Sequence, residues 1–377
     1  MPIIPADNTF AIGTILFGLA WLGFWIDSQP IGKKTSGVVW VLTIGMILSN
    51  IKIIPFAAPA YDLVGGTLVP LAIPLLLYKA DLRRIFRESG IVMIIFCLAC
   101  MATVVTAVAG FYIMELGEIG PKVAGVYTAG FVGGAVNFLA VSQAVQMTTQ
   151  EFSVAIGASS FVSITALMLL IAIPSVRFIT ARVPSRLLAA ADDKQGAGLI
   201  QDSLPHIRLT HISGAIALSF LICSIADFIA AYLELTQYRI LFITIVTIIV
   251  ANLIPGPLNK LQGDFEVGML LMYLFFAMVG AGTDATTFLG EAFYLFIYGM
   301  FIILFHLFLV LAAARLFKID LAEAVVASAA ALVGPTATAA IAISKGWRDL
   351  VMPGIMCGIF GYVIATFIGV AVTEFLS

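Results

Sequence analysis

Apolar runs about as long as a bilayer is thick alternate along this chain with short polar connectors. A helix needs about 20 predominantly apolar residues to cross the hydrocarbon layer. Runs of that kind cover residues 9–26, 37–54, 62–78, 90–114, 125–147 and 153–178. Six more cover 212–233, 239–254, 266–282, 291–316, 324–344 and 350–375. The pattern predicts an all-α polytopic membrane protein of about 12 transmembrane segments, since open strands cannot satisfy their backbone groups in lipid. One connector stands apart: residues 181–210 hold Arg182, Arg186, Asp192, Asp193, Lys194 and Arg208 near the middle of the chain. A hydrophilic linker at 184–208 then separates a first membrane repeat, 1–183, from a second, 209–377.

The two halves resemble each other. Asn50 with Pro55 is answered by Asn252 with Pro255, and Tyr61-Asp62-Leu63-Val64-Gly65 by Phe265-Glu266-Val267-Gly268. The step from Gly65 to Gly268 also carries Asp81 onto Asp284. The glycine-rich stretch Gly133-Gly134-Ala135-Val136-Asn137 falls opposite Gly334-Pro335-Thr336-Ala337-Thr338. Matches kept in order at nearly constant separation point to internal duplication, and duplicated halves are characteristic of secondary transporters. Lys79, Arg83, Arg84 and Arg87 mark a cytoplasmic turn by the positive-inside bias, while its counterpart, 283–291, has no Lys or Arg. That contrast favours inverted repeats. Six full crossings in each half would instead make the repeats parallel, so the charge pattern and the count pull in opposite directions.

Composition agrees with the pattern. Of the 377 residues, 62% are hydrophobic and 11% charged, and the mean hydropathy is +1.11. A soluble domain carries about 25% charged residues. The net charge of −2 leaves no basic stripe for nucleic acid. Cys97, Cys100, Cys223 and Cys357 lie in apolar runs and read as small buried residues. No zinc-protease, nucleophile-elbow or phosphate-loop motif is present, so no enzyme activity, cofactor or metal site is expected. Without Lys or Arg before it, the first run reads as a span and not as a cleavable leader.

Chemistry concentrates where polar or helix-breaking residues interrupt the spans. Glycine lowers the cost of unwinding and admits a ligand to the backbone, and proline frees a carbonyl. Inside a bilayer such a break survives where it lines a cavity or is packed in protein. Paired breaks in two halves are the strongest pointer to a transporter's site. Gly133, Gly134, Asn137, Gly334, Pro335, Thr336 and Thr338 are therefore the candidate solute-binding residues, together with Tyr127 and Ser328 on the same two segments. For a coupling ion the candidates are the hydroxyls of Ser159, Ser160 and Ser163 and the titratable Asp227 and His306. Each has a plain alternative: helix hydroxyls bond preceding carbonyls, and a mid-span histidine is often satisfied between helices.

At these motifs the chain resembles the YjcL-like family, known as domain of unknown function 819. Tyr127, Gly133-Gly134-Ala135-Val136-Asn137-Phe138-Leu139-Ala140, Pro70–Leu77 and Ala80-Asp81-Leu82-Arg83-Arg84 carry the resemblance. It continues in Tyr273-Leu274-Phe275-Phe276-Ala277, Ala327-Ser328, Gly334–Ala339 and Gly346-Trp347-Arg348. The resemblance implies a place among cation/proton antiporters, bile-acid sodium symporters and anion carriers. It also implies two discontinuous helices crossing near the midplane and a core domain moving against a scaffold. Two positions depart from the pattern: Ala329-Ala330-Ala331, and Ala158-Ser159 where an Asp-Asn pair is common. The missing carboxylate weakens proton antiport. The reading is a secondary transporter of a small polar solute, an organic anion or short peptide-like molecule, coupled to Na⁺ or H⁺. A monovalent cation/proton antiporter is the alternative. Its expected place is a bacterial inner (plasma) membrane, with solute and lipid as partners, a homodimer as an open question, and no nucleic acid.

Overall fold

The computed structural model describes residues 2–29, 37–183, 185 and 208–377. Most of the predicted linker, 184–208, lies outside them. Every one of the twelve predicted segments falls on a helix. In chain order these are α1 (Thr9–Ser28), α2 (Gly37–Asn50), α3 (Pro59–Leu77), α4 (Leu82–Ile113), α5 (Gly120–Ala144) and α6 (Thr149–Ala172). They continue with α7 (Leu209–Tyr232), α8 (Arg239–Leu253), α9 (Asp264–Ala281), α10 (Ala285–Leu316), α11 (Leu321–Leu332), α12 (Gly334–Ser344) and α13 (Val351–Leu376). Ten helical segments among the described residues are long and apolar enough to cross a membrane. The shorter ones are α2, α11 and α12, the last two being halves of one predicted span.

Two compact units divide this chain, and neither follows the sequence halves. The first unit takes Met1–Lys79, Ser142–Ile164 and His206–Phe296; the second takes Ala80–Val141, Thr165–Pro205 and Ile297–Ser377. Most helices that occupy the same place in each half fall together: α1 to α3 with α7 to α9 in the first unit, and α4 and most of α5 with α10 from Ile297, α11 and α12 in the second. Most of α6 lies in the first unit and α13 in the second.

In the first unit, α3 and α9 run antiparallel. A methyl group in place of the Gly65 hydrogen would lie 3.8 Å from Met278 Sδ, and one on Gly268 would lie 3.2 Å from Leu75 Cβ. The start of each helix thus meets the end of the other, and the two contacts exchange under the offset that relates Gly65 to Gly268. Proline shapes α3: Pro70 lacks the N–H that would bond the Gly66 carbonyl. The turn loosens over Val64–Leu68, and Arg239 reaches that carbonyl at 3.5 Å.

The second unit repeats the relation with α4 and α10, each 32 residues long. Thr103 Oγ1 lies 2.9 Å from Nδ1 of His306, 203 positions later. Farther along, the Tyr298 hydroxyl donates to the Ala107 carbonyl at 2.8 Å. Rising numbers in α4 meet falling numbers in α10, so this pair is antiparallel as well. α4 is bent at Gly90 (φ 54°, ψ −135°), where its charged first turns give way to the apolar run.

Both helices begin on an aspartate. Asp81 Oδ1 accepts the N–H groups of Arg83 and Arg84 at 3.1 and 3.3 Å, and Asp284 Oδ1 accepts that of Thr286 at 3.1 Å. The two side chains matched in sequence are thus N-caps, which explains their shared spacing. The turn before α10 is further held by Asn50, which donates to Thr283 O at 2.8 Å and accepts from Ala285 N at 3.1 Å. Asp284→Ala is expected to lower stability by about 1 kcal/mol, read as a fall in the unfolding temperature in detergent. An unchanged temperature would mean the cap contributes nothing.

Candidate functional site

The second unit holds both predicted interruptions. In α5 the helical geometry fails at Gly133 (φ −138°, ψ 16°) and Gly134 (φ 71°, ψ −172°). Between α11 and α12 it fails at Val333 (φ −128°, ψ −2°) and Gly334 (φ 82°). The two breaks share one backbone signature: a residue near ψ 0°, then a glycine with positive φ. A side chain at that second position would be strained by about 1–3 kcal/mol, and glycine stands there in both segments. Pro335 follows at the start of α12, where its missing N–H is no loss.

Each break is closed on its acceptor side by a residue four positions on. Asn137 Nδ2 donates to the Gly133 carbonyl at 2.7 Å, and Thr338 Oγ1 donates to the Gly334 carbonyl at 2.7 Å. Asn137 Oδ1 in turn accepts from Thr366 Oγ1 at 2.5 Å. Asn137 and Thr338 are buried, so these carbonyls are satisfied without water. Ala135 and Thr336, which directly follow Gly134 and Pro335, are exposed in this structure. The N-cap residue of α12, Val333, makes no side-chain cap bond, and the leading N–H groups of a helix have no intrahelical partner.

One helix touches both breaks. A methyl group on Gly358 would come within 2.9 Å of Pro335 N and Cα, and one on Gly361 would overlap the Val132 carbonyl oxygen. Next to Gly361, Tyr362 approaches both positive-φ glycines: its Cε1 would lie 3.6 Å from a methyl on Gly134, and its Oη 3.5 Å from one on Gly334. Sequence reasoning gave α13 as a span, 350–375, but did not assign it to the site. Gly354, Gly358 and Gly361, spaced at four and three, form the small-residue stripe that lets helices approach closely. That stripe was the available signal, but nothing in it named its partners.

The other candidates are placed as follows. Tyr127 is buried among the rings of Phe131, Phe138 and Tyr298, with centroids 5.5 to 5.7 Å away. His306 is buried between Thr103 and Ser328, whose Oγ lies 3.3 Å from Nε2. Thr103 Oγ1 also lies 3.2 Å from the Ala99 carbonyl, so both ring nitrogens of His306 face hydroxyl groups. Ser328 is thereby held on the histidine. In the first unit, Ser159 and Ser160 donate to the Ile156 carbonyl at 3.1 and 2.7 Å, and Ser163 is half-buried. Asp227 pairs with Arg239 at 2.7 Å, both partly exposed. The structure therefore gathers Gly133, Gly134, Asn137, Gly334, Pro335 and Thr338 around α13, with Thr336 exposed beside Pro335. Tyr127, Ser328 and His306 lie elsewhere in that unit's interior. Among the described residues no cluster of His, Cys, Asp and Glu is arranged to hold a metal ion.

A many-spanned helical membrane protein with two interrupted helices facing a third is the class these features define. The chain matches the family described as protein of unknown function (DUF819) over residues 14–377, and it belongs to that family. It is 30% identical over 361 residues to the "Uncharacterized membrane protein YjcL" of Bacillus subtilis (strain 168), covering 92% of this chain and 91% of that one.

Proposed function

We propose that this protein is a secondary active transporter of a small polar solute, an organic anion or short peptide-like molecule, driven by Na⁺ or H⁺. The observation that carries the reading is the pair of breaks, alike in backbone geometry, that meet one helix. Unwound backbone at membrane depth persists where it lines a cavity or is enclosed by protein, and the exposure of Ala135 and Thr336 favours the cavity. The half-helix ends then offer partial charges to a solute without a formal charge being carried into lipid. The antiparallel pairing of counterpart helices, α3 with α9 and α4 with α10, supports inverted repeats built from the two halves. That relation favours the charge contrast over the simple count of crossings, and it suits an alternating-access carrier in a bacterial inner membrane. The cation/proton antiporter needs a titrating group free to load and release a proton. Asp227 is shared with Arg239 and His306 sits between two hydroxyls, so the solute carrier is the better-supported reading.

The full chain, purified and reconstituted in proteoliposomes, tests this with labelled carboxylates, amino acids and dipeptides. Each is presented with and without an inward Na⁺ or H⁺ gradient. Accumulation of one class above its equilibrium level under a gradient is the expected result. No accumulation and no counterflow of any class would sink the proposal.

A further inference from the structure

Resting on that reading, the geometry points to Tyr362 as the side chain that binds and selects the solute's anionic group at the paired breaks. Three observations converge on it. First, its ring edge and hydroxyl face the two positive-φ glycines, within ordinary contact of where side chains would otherwise stand. Second, Tyr362 is half-buried, and its hydroxyl has no hydrogen-bond partner among the described residues. The buried hydroxyls beside it are committed, Thr366 to Asn137 and Thr338 to Gly334. A phenolic O–H left inside a membrane domain normally finds a partner. Third, the breaks are rich in donors and poor in free acceptors. The carbonyls of Gly133 and Gly334 already accept from Asn137 and Thr338, while Val333 gives the start of α12 no side-chain cap.

A bare cation would want those carbonyls free; a carboxylate wants donors. The Thr336 side chain and its N–H, the opening N–H groups after Gly134, and the Tyr362 hydroxyl supply them. A hydrogen bond to a charged acceptor is worth more than a neutral one, so the phenol is placed where an anion and its neutral analogue would differ most. Glycine at 134 and 334 leaves the room the carboxylate would occupy. Tyr362 is thus a specificity residue of the site, acting by direct contact.

The test uses the full chain in detergent and the sodium salts of acetate, benzoate, citrate and glutamate, with sodium chloride at matched sodium as the blank. At least one carboxylate is expected to raise the unfolding temperature of the wild type. Tyr362→Phe, which keeps the ring, is expected to need about tenfold more of that salt for the same rise. Tyr298→Phe, whose hydroxyl is spent on Ala107, is expected to respond as the wild type does. An equal response in Tyr362→Phe overturns the assignment, and so does a wild type that no carboxylate stabilises. Should Tyr362→Phe not fold, a fluorinated tyrosine placed at position 362 alone keeps the question open to an answer. Its fluorine resonance is expected to move with the stabilising carboxylate and not with chloride; an unmoved resonance overturns the proposal. Failure of the transport reading looks different. There the wild type moves no solute in proteoliposomes, whereas here uptake would persist in Tyr362→Phe with an unchanged dependence on anion concentration.

Discussion

Asn137→Ala is expected to abolish solute uptake in proteoliposomes and to lower the unfolding free energy by about 2–4 kcal/mol. Both effects come from one place. Asn137 is buried and joins the end of the first half-helix to α13, donating to Gly133 O and accepting from Thr366. Alanine leaves a buried carbonyl without a donor, which costs about 1–3 kcal/mol. It also removes the acceptor for Thr366. The break then loses the side-chain tie that runs from its carbonyl through Asn137 to Thr366 of α13 and is free to rewind or shift. Thr366→Val provides the check: it deletes the hydroxyl at nearly constant shape and leaves Asn137 Oδ1 without that donor. The two changes are expected to be non-additive by about 1–2 kcal/mol in a double-mutant cycle. Strict additivity would mean that the contact contributes nothing. Unchanged uptake in Asn137→Ala would remove the break from the transport mechanism altogether.

Gly361→Leu is expected to be the most damaging single substitution in α13, costing about 3 kcal/mol or more. The first carbon of any side chain there would overlap the Val132 carbonyl oxygen and lie 3.3 Å from Phe96. The carbonyl belongs to backbone just before the first break and cannot swing aside as a side chain would. Gly18→Leu is the control. Nothing lies within 4 Å of a methyl at Gly18, so the same change on α1 is expected to leave stability within about 0.5 kcal/mol or to raise it. Thermal unfolding of the two variants beside the wild type decides the matter. Equal effects would mean that glycine composition, and not the approach of α13 to the break, governs stability.

The apolar pattern made the helices legible because lipid punishes every other arrangement of the backbone. It also placed the bend of α4: the span read from Gly90 onward begins where the helix turns. The offset between halves carried real information, since Asp81 and Asp284 are both caps and Thr103 meets its own counterpart, His306. The breaks at Gly133-Gly134 and Gly334 were readable because glycine and proline weaken a helix inside an apolar run. What could not be read is direction and partnership. Asn137 and Thr338 looked like solute contacts, yet the hydrogen bonds seen here run to the breaks' own carbonyls and to Thr366. A sequence states that a group can donate, not where it will find an acceptor. Tyr362 was overlooked for the complementary reason: a tyrosine in an apolar run looks like packing until its hydroxyl is found without a partner.

The approach of α13 to both breaks has a mechanical consequence. A rod gripped at Val132 on one side and at Pro335 on the other fixes the gap between the two half-helix ends. Neither end can drift without dragging the rod, and the rod carries Tyr362 with it. On the transport reading, the aperture for a solute would be a dimension of one stiff body, like the jaw of a caliper clamped at a set width. Discrimination by length would be adjusted at its tips, Ala135 and Thr336, where a longer side chain narrows the opening without disturbing the clamp.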